Sequence, residues 1–192
     1  MLRHGEAEGG SYFRGSTDDP LTSMGWQQMH QSIAGAEKWD VIISSPLLRC
    51  LDFATLLSEH LTLPLKVISK FSEIDFGHWE GKTAAQIQQN EPDALQKFYD
   101  NPIDFTPEQG ESFACFAHRV DSAWLKILDE NKGLRLLIIT HAGVIRRIFS
   151  NVLGLTFSDS FHIKVNHGSI SRFENLSTKD SEYCQLLFHQ SH

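Results

Sequence analysis

The sequence predicts an α/β fold, a three-layer α/β/α sandwich with a mostly parallel central sheet and an inserted helical lobe. Short apolar runs of strand length alternate with segments of helical spacing, the pattern of strands joined by crossover helices. Two groups able to do chemistry, Ser45 to Arg49 and His141 to Gly143, each stand where such a run ends. Open α/β sheets keep their ligand crevice at that end of the strands. A chain of 192 residues fits one domain spanning 1–192. Folding at that length buries roughly 70% of the unfolded surface, so the core needs no staples.

Val41-Ile42-Ile43-Ser44-Ser45-Pro46 reads as a short buried strand ended by a turn, and Leu47 to Leu61 follows with helical spacing through Leu48, Leu51, Ala54, Leu57 and Leu61. Leu65 to Ile68 reads as a second short strand. Leu134 to Thr140 is the clearest strand, broken by His141-Ala142-Gly143 before a helix from Val144 to Val152. Phe161 to Val165, Ser169 to Glu174 and Tyr183 to Phe188 read as later strands. Between Thr83 and Val120 the pattern is helical, interrupted around Pro102 and Pro107, and predicts the inserted lobe at about 83–120.

With 41% hydrophobic and 21% charged residues the composition is that of a soluble globular protein. No apolar run approaches the ~18 residues a membrane helix needs, and no basic, apolar leader precedes the first motif, so a cytoplasmic location is expected. Cys50, Cys115 and Cys184 are far apart and form no CxxC pair, which reads as structural thiols rather than a disulfide framework or zinc site. A formal charge of −7 argues against a nucleic-acid-coating surface. An anionic substrate would have to find a local basic pocket, so individual arginines matter.

Four groups supply candidates. Leu2-Arg3-His4-Gly5-Glu6 offers a histidine able to attack phosphorus when neutral, a glycine that lets backbone approach a ligand, and a guanidinium fork suited to phosphate oxygens. In isolation its default reading is a surface histidine near a terminus, one of ten histidines in the chain. Ser44-Ser45-Pro46-Leu47-Leu48-Arg49 puts Arg49 in a helix's first turn after a strand. Ile138 to Gly143 puts His141 where a strand yields to a helix, so N–H groups around Ala142 can meet an anion. Phe71 to Gly81 holds three acids among apolar residues, and chemistry alone leaves Glu73, Asp75 and Glu80 open as the proton donor.

Together these groups resemble the histidine phosphatase superfamily, the phosphoglycerate-mutase-like proteins. The resemblance covers nearly the whole chain: Arg3-His4-Gly5-Glu6, Gly15, Pro20 to Gly25, Ser45 to Arg49, Glu73 with Asp75-Phe76-Gly77, Gly110-Glu111-Ser112, and Thr140-His141-Ala142-Gly143. It implies that His4 is the phosphorylated nucleophile, that Arg3, Arg49 and His141 close a positive pocket round the phosphoryl group, and that Glu73 is the proton donor. It implies no metal or other cofactor. Two positions depart from the pattern: Ala7 stands where a small polar residue is usual and Gly10 where an asparagine is. Ser11, Arg14 or Ser16 would have to supply the missing phosphate contacts, Arg14 being the candidate substrate contact. The nucleophile should also follow a full central strand, yet only three residues precede His4. This form is therefore expected to begin inside a longer chain and to be less stable than one with more apolar N-terminal residues.

Within the family, the runs Gly15 to Thr22 and Glu73 to Gly81 are most similar to the alpha-ribazole phosphatases. The expected substrate is alpha-ribazole 5′-phosphate, in cobalamin nucleotide-loop assembly, with a broad-specificity phosphatase for small esters or sugar phosphates as the alternative. Phe13, Trp79 or Phe113 would stack on a base-like ring or simply pack. The expected partner is a small phosphate ester, with no nucleic acid and no membrane. Two other classes are weighed: an inactive phosphoanion-binding regulatory module, and a metal-dependent hydrolase using several of the ten histidines, which show no ligand spacing.

Overall fold

The structure is a computed structural model and describes residues 1–35, 38–177 and 182–191. Its sheet has six strands, β1 (Leu2–Arg3), β2 (Val41–Ser44), β3 (Leu65–Val67), β4 (Leu136–Thr140), β5 (Ile170–Ser177) and β6 (Glu182–Gln190), in the order β3-β2-β4-β1-β5-β6. The first four run parallel; β5 pairs antiparallel with both β1 and β6. The helices are α1 (Ser23–Ile33), α2 (Leu48–Leu61), α3 (Ala84–Asn90), α4 (Ala94–Asp100), α5 (Phe113–Glu130) and α6 (Ala142–Leu153).

The alternation of side chains along the strands builds two cores. Met1, Val41, Ile43 and Ile138 face one side and pack under α5 and α6, against Phe116, Val120, Trp124, Ile145 and Phe149. Leu2, Ile42, Leu137 and Ile139 face the other and pack under α1 and α2, against Met29, Phe53, Ala54 and Leu57. Strands buried on both faces must be apolar throughout, which is why β2 and β4 read as continuous runs. Three helices, α1, α3 and α5, start on side-chain caps: Thr22 accepts from Gly25 N, Thr83 forms a capping box with Gln86, and Ser112 accepts from Cys115 N. The helix α6 stops at Gly154, whose φ of +66° suits glycine.

The helical lobe is smaller than the 83–120 the sequence suggests. Only α3 and α4 belong to it, held by Trp79, Ile87 and Phe98 with Phe13, Phe76 and Phe105 packed round them. The helix α5 continues to Glu130 and its apolar face joins α6 in the main layer, because Phe116, Val120, Ala123 and Ile127 recur at helical spacing. Phe161 to Val165 forms no strand. Thr156 and Asp159 bond each other's backbone N–H and start a 3-10 turn over Asp159–His162 instead. Phe161 thereby packs on Phe157 at 5.4 Å. Helix α1 has no apolar stripe to announce it in the sequence, since its only buried residues are Gly25 and Met29.

The strand β1 has two residues where its neighbours β4 and β5 have five and eight. Past Met1, towards the amino-terminal ends of the parallel strands, β4 and β5 flank a groove of about 680 Å³ lined by Trp39, Trp124, Phe173 and Phe188. The Met1 amino group donates to Ser171 O at 2.6 Å, and burial lowers its pKa to about 5.

Candidate active site

The carboxyl ends of β1, β2 and β4 bring His4, Ser45 to Arg49 and His141 to one crevice. Backbone bonds lock the three ends together: His4 N donates to Thr140 O at 3.0 Å and Ser45 N to Ile139 O at 3.0 Å. Gly5 lies so close to α1 that a β-carbon on it would stand 2.1 Å from Gly25 O.

His4 is 5% exposed, and its Nδ1 lies 2.7 Å from Gly5 O. A carbonyl only accepts, so Nδ1 carries the proton and Nε2 keeps its lone pair. Burial, reinforced by the charges of His141, Arg3 and Arg49, holds the His4 pKa well below the ordinary histidine value, so the ring is neutral. The His141 ring stands 5.2 Å away, edge-on, with Nε2 2.7 Å from Ser45 Oγ. Burial and then the two arginines depress its pKa as well.

The two guanidiniums are anchored by backbone. Arg3 donates to Val165 O at 2.6 Å; Arg49, fully buried, donates to Thr17 O at 2.6 Å and Gly15 O at 2.8 Å. The Nε–H of each is buried without a partner among the described residues. Phosphate oxygens are the acceptors that fit such donors. Burial pulls Arg3 down to about 10, still charged at neutral pH. Asp18 accepts from Leu48 N at 2.6 Å and so caps α2 beside Arg49, a contact the sequence analysis lacks.

Geometry separates the three acids. Glu80 accepts the backbone N–H groups of Gly15, Ser16, Thr17 and Phe76 at 2.9–3.0 Å, together with the Thr17 hydroxyl, and is committed to holding that loop. Asp75 turns back to Gly77 N at 2.8 Å. Glu73 alone of the three reaches the crevice, accepting Gly143 N at the start of α6 at 3.0 Å and its neighbour Ile74 N at 3.1 Å. A β-carbon on Gly143 would stand 2.2 Å from Glu73 Oε1, so glycine is what lets the carboxylate in. Ala142 is the first helical residue after His141, and its N–H is among those a helix leaves without an internal partner.

The remaining expectations fare differently. Arg14 is engaged in its own loop: it donates to Asp19 Oδ2 at 2.7 Å, to Gly10 O at 3.2 Å and to Glu8 O, with its guanidinium 4.1 Å above the Tyr12 ring. Ser11 and Ser16 are exposed, Ala7 is buried in a bridge to Leu21, and Gly10 has φ +83°. Phe13 and Trp79 are packed in the lobe, and Phe113 against Phe157 at 4.4 Å. Among the described residues no group of three or more His, Cys, Asp or Glu is placed to hold a metal.

Two residues at the site escape the sequence analysis. The His167 ring lies 5.5 Å from His4, and burial with the charges of Arg3 and Arg14 lowers its pKa to about 4. With Arg3, Gln28, Gln31 and Asn166 it lines a polar hollow of about 420 Å³. Nothing in the sequence says that β5 is the neighbour of β1, which is what brings His167 there. Arg146 follows Ala142 by four residues on the same face of α6, and its charge acts on Arg3 and Glu73. That spacing was the available signal.

Two fixed cations, a neutral imidazole with a free nitrogen and a carboxylate across from it suit transfer of a phosphoryl group. The model of the histidine phosphatase superfamily (branch 1) matches residues 1–182, so the chain belongs to that superfamily. The chain is 24% identical over 179 residues to the adenosylcobalamin/alpha-ribazole phosphatase of Escherichia coli, covering 91% of this chain and 88% of that one. Its fold is similar to the crystal structure of the alpha-ribazole phosphatase from Shigella flexneri, with TM-score 0.82, 24% identity, and 96% and 92% of the two chains covered. It is similar also to a mycobacterial glucosyl-3-phosphoglycerate phosphatase, with TM-score 0.85, 24% identity, and 98% and 96% covered.

Proposed function

We propose that the chain is a metal-independent phosphomonoesterase working through a phosphohistidine on His4. One observation carries this: the His4 ring is held neutral by burial and by the charges of His141, Arg3 and Arg49, with Nδ1 tied to Gly5 O so that Nε2 keeps its lone pair. In the first step the Nε2 lone pair attacks phosphorus, the P–O bond to the leaving group breaks, and that oxygen takes a proton from Glu73. Charge on the transferring group is met by Arg3, Arg49 and His141, with the Ala142 N–H at the helix start. In the second step Glu73, now a carboxylate, takes a proton from water, the oxygen attacks phosphorus, and the P–N bond breaks to give phosphate and free His4. Arg14, held by Asp19, serves the rim of the site.

Alpha-ribazole 5′-phosphate, in cobalamin nucleotide-loop assembly, is one specific reading, supported by the Escherichia coli relative. A broad-specificity phosphatase for small esters or sugar phosphates is the second, favoured by the equal identity to the glucosyl-3-phosphoglycerate phosphatase. An inactive phosphoanion-binding module has no need of both His4 and Glu73. We place the protein in the cytoplasm with a small phosphate ester as partner, and with neither nucleic acid nor membrane; among the described residues no helix is long and apolar enough to cross a membrane. Phosphate release from alpha-ribazole 5′-phosphate and a panel of simple esters, in chelator, tests the readings. Strong preference for the first supports the cobalamin reading, even turnover of all supports the second, and a requirement for added metal overturns the mechanism.

A further inference from the structure

Arg146 is the guanidinium near the site for which the structure shows no hydrogen-bond acceptor. Arg14, Arg119 and Arg147 are each paired with a carboxylate, and Arg3 and Arg49 with carbonyls. The Nε–H of Arg146 is buried and makes no hydrogen bond, and no ion pair is formed by its head group among the described residues. Its surroundings are aromatic. The guanidinium lies 5.0 Å from the centre of the Phe161 ring, and Tyr99 from α4 stands 6.3 Å from Phe161, nearly perpendicular. Tyr99 is 49% exposed, so this corner opens at the rim, where the lobe, the 3-10 turn and α6 meet.

The corner has a definite place in the reaction. Glu73, the proposed donor to the departing oxygen, acts electrostatically on Arg146, as does Tyr99. Arg146 also lies one helical turn past Ala142 on α6, and its charge acts on Arg3 as well, so it stands beside the crevice, near the proposed proton donor. A cation removed from water there is costly unless something negative meets it. Glu73 can meet that charge only when ionised; as the proposed donor it is uncharged while the ester is bound, and the aromatic walls are neutral, so a further negative charge would come from the substrate.

We propose that Arg146, with Phe161 and Tyr99, forms a subsite for a second anionic group, a carboxylate or a further phosphate, on the leaving group of the ester. This rests on the phosphomonoesterase reading and narrows its substrate class. A neutral nucleoside leaving group gains nothing from Arg146, so among the readings above it favours a small acidic ester.

O-Phosphoserine and O-phosphoethanolamine differ by one carboxylate on the leaving group and form the test pair. The wild-type protein should show kcat/KM about tenfold higher for O-phosphoserine, the effect expected of a hydrogen-bonded charge pair. Arg146→Met should reduce the O-phosphoserine value about tenfold more than the other, chiefly through KM, and Arg146→Lys should restore part of the preference. If both esters fall equally in Arg146→Met, Arg146 acts through Glu73 and the subsite is wrong. The absence of any preference in the wild type overturns it as well. Binding of 3-phosphonopropionate against ethylphosphonate, by calorimetry on folded wild-type and Arg146→Met protein, reads the subsite without turnover. A preference for the carboxylate ligand that Arg146→Met abolishes sustains the subsite even if the phosphatase reading fails. Equal affinities in both proteins sink it.

Discussion

Glu73, Asp75 and Glu80 sit in one loop, and the fold gives each a separate task. Only Glu73 shares the crevice with His4, and it can do so because residue 143 has no β-carbon. Gly143→Ala would put a methyl group 2.2 Å from Glu73 Oε1 and push the carboxylate off line. A displacement of about 1 Å costs on the order of 10²-fold in rate. The expected outcome is that fall in kcat with KM little altered, measured by steady-state phosphate release; a variant within twofold of wild type would contradict the placement of Glu73. Arg49 and His141 could be singled out because each is tied to a sequence landmark, a strand end or helix start, whereas Arg3 and His4 stood out only through the family resemblance. The choice among the acids was not legible from chemistry alone. It depends on which N–H groups of Gly15, Thr17 and Gly143 come within reach, and those are tertiary facts.

At the scale of elements, the loop from Gly15 to Thr17 links the two halves of the site. Its carbonyls hold Arg49 while its N–H groups are held by Glu80. Glu80→Gln keeps the shape but loses the charge from several of these bonds, at about 2–3 kcal/mol in total. For a chain of this size that lowers the melting midpoint by about 4–12 °C, and it should raise KM for phosphate esters as Arg49 loosens. A melt unchanged within 1 °C would count against this arrangement. The two-residue strand β1 is the other weak element. Apolar residues added before Met1 would convert its buried amino group into a peptide and reach the groove between β4 and β5. The midpoint should rise, and equal midpoints for the two forms would contradict the expectation. Strands β2 and β4 and helix α6 were readable because burial on both faces, or a strong apolar stripe, writes itself into composition. The helix α1 and the turn at Asp159–His162 were not, since caps and a few contacts decide them rather than periodicity.

The whole molecule carries several basic groups buried in their neutral form. The Met1 amine has a pKa of about 5 against 8.0 when free, and His167 about 4 against 6.5, with His4 and His141 depressed in the same direction. The unfolded chain binds these protons first, so the stability they contribute is complete above pH 8 and is lost as pH falls. The Met1 shift alone corresponds to about 4 kcal/mol between pH 8 and pH 5. The melting midpoint should therefore drop steadily across that window, and a midpoint flat from pH 8 to pH 5.5 would mean these groups are solvated. Activity should not share the upper part of this fall, because neutral His4 needs no deprotonation there.

The central claim is that a phosphoryl group rests on His4 between two half-reactions. The direct measurement is rapid mixing with substrate, a quench that avoids acid, digestion, and mass spectrometry of the peptide bearing His4. One added phosphoryl group on that peptide is expected, appearing and decaying at rates that account for turnover, with no such group in His4→Ala and activity there at least 10³-fold down, as for loss of a covalent nucleophile. Phosphate release continuing at the wild-type rate in His4→Ala, or a phosphoryl group carried on another residue, would contradict the account.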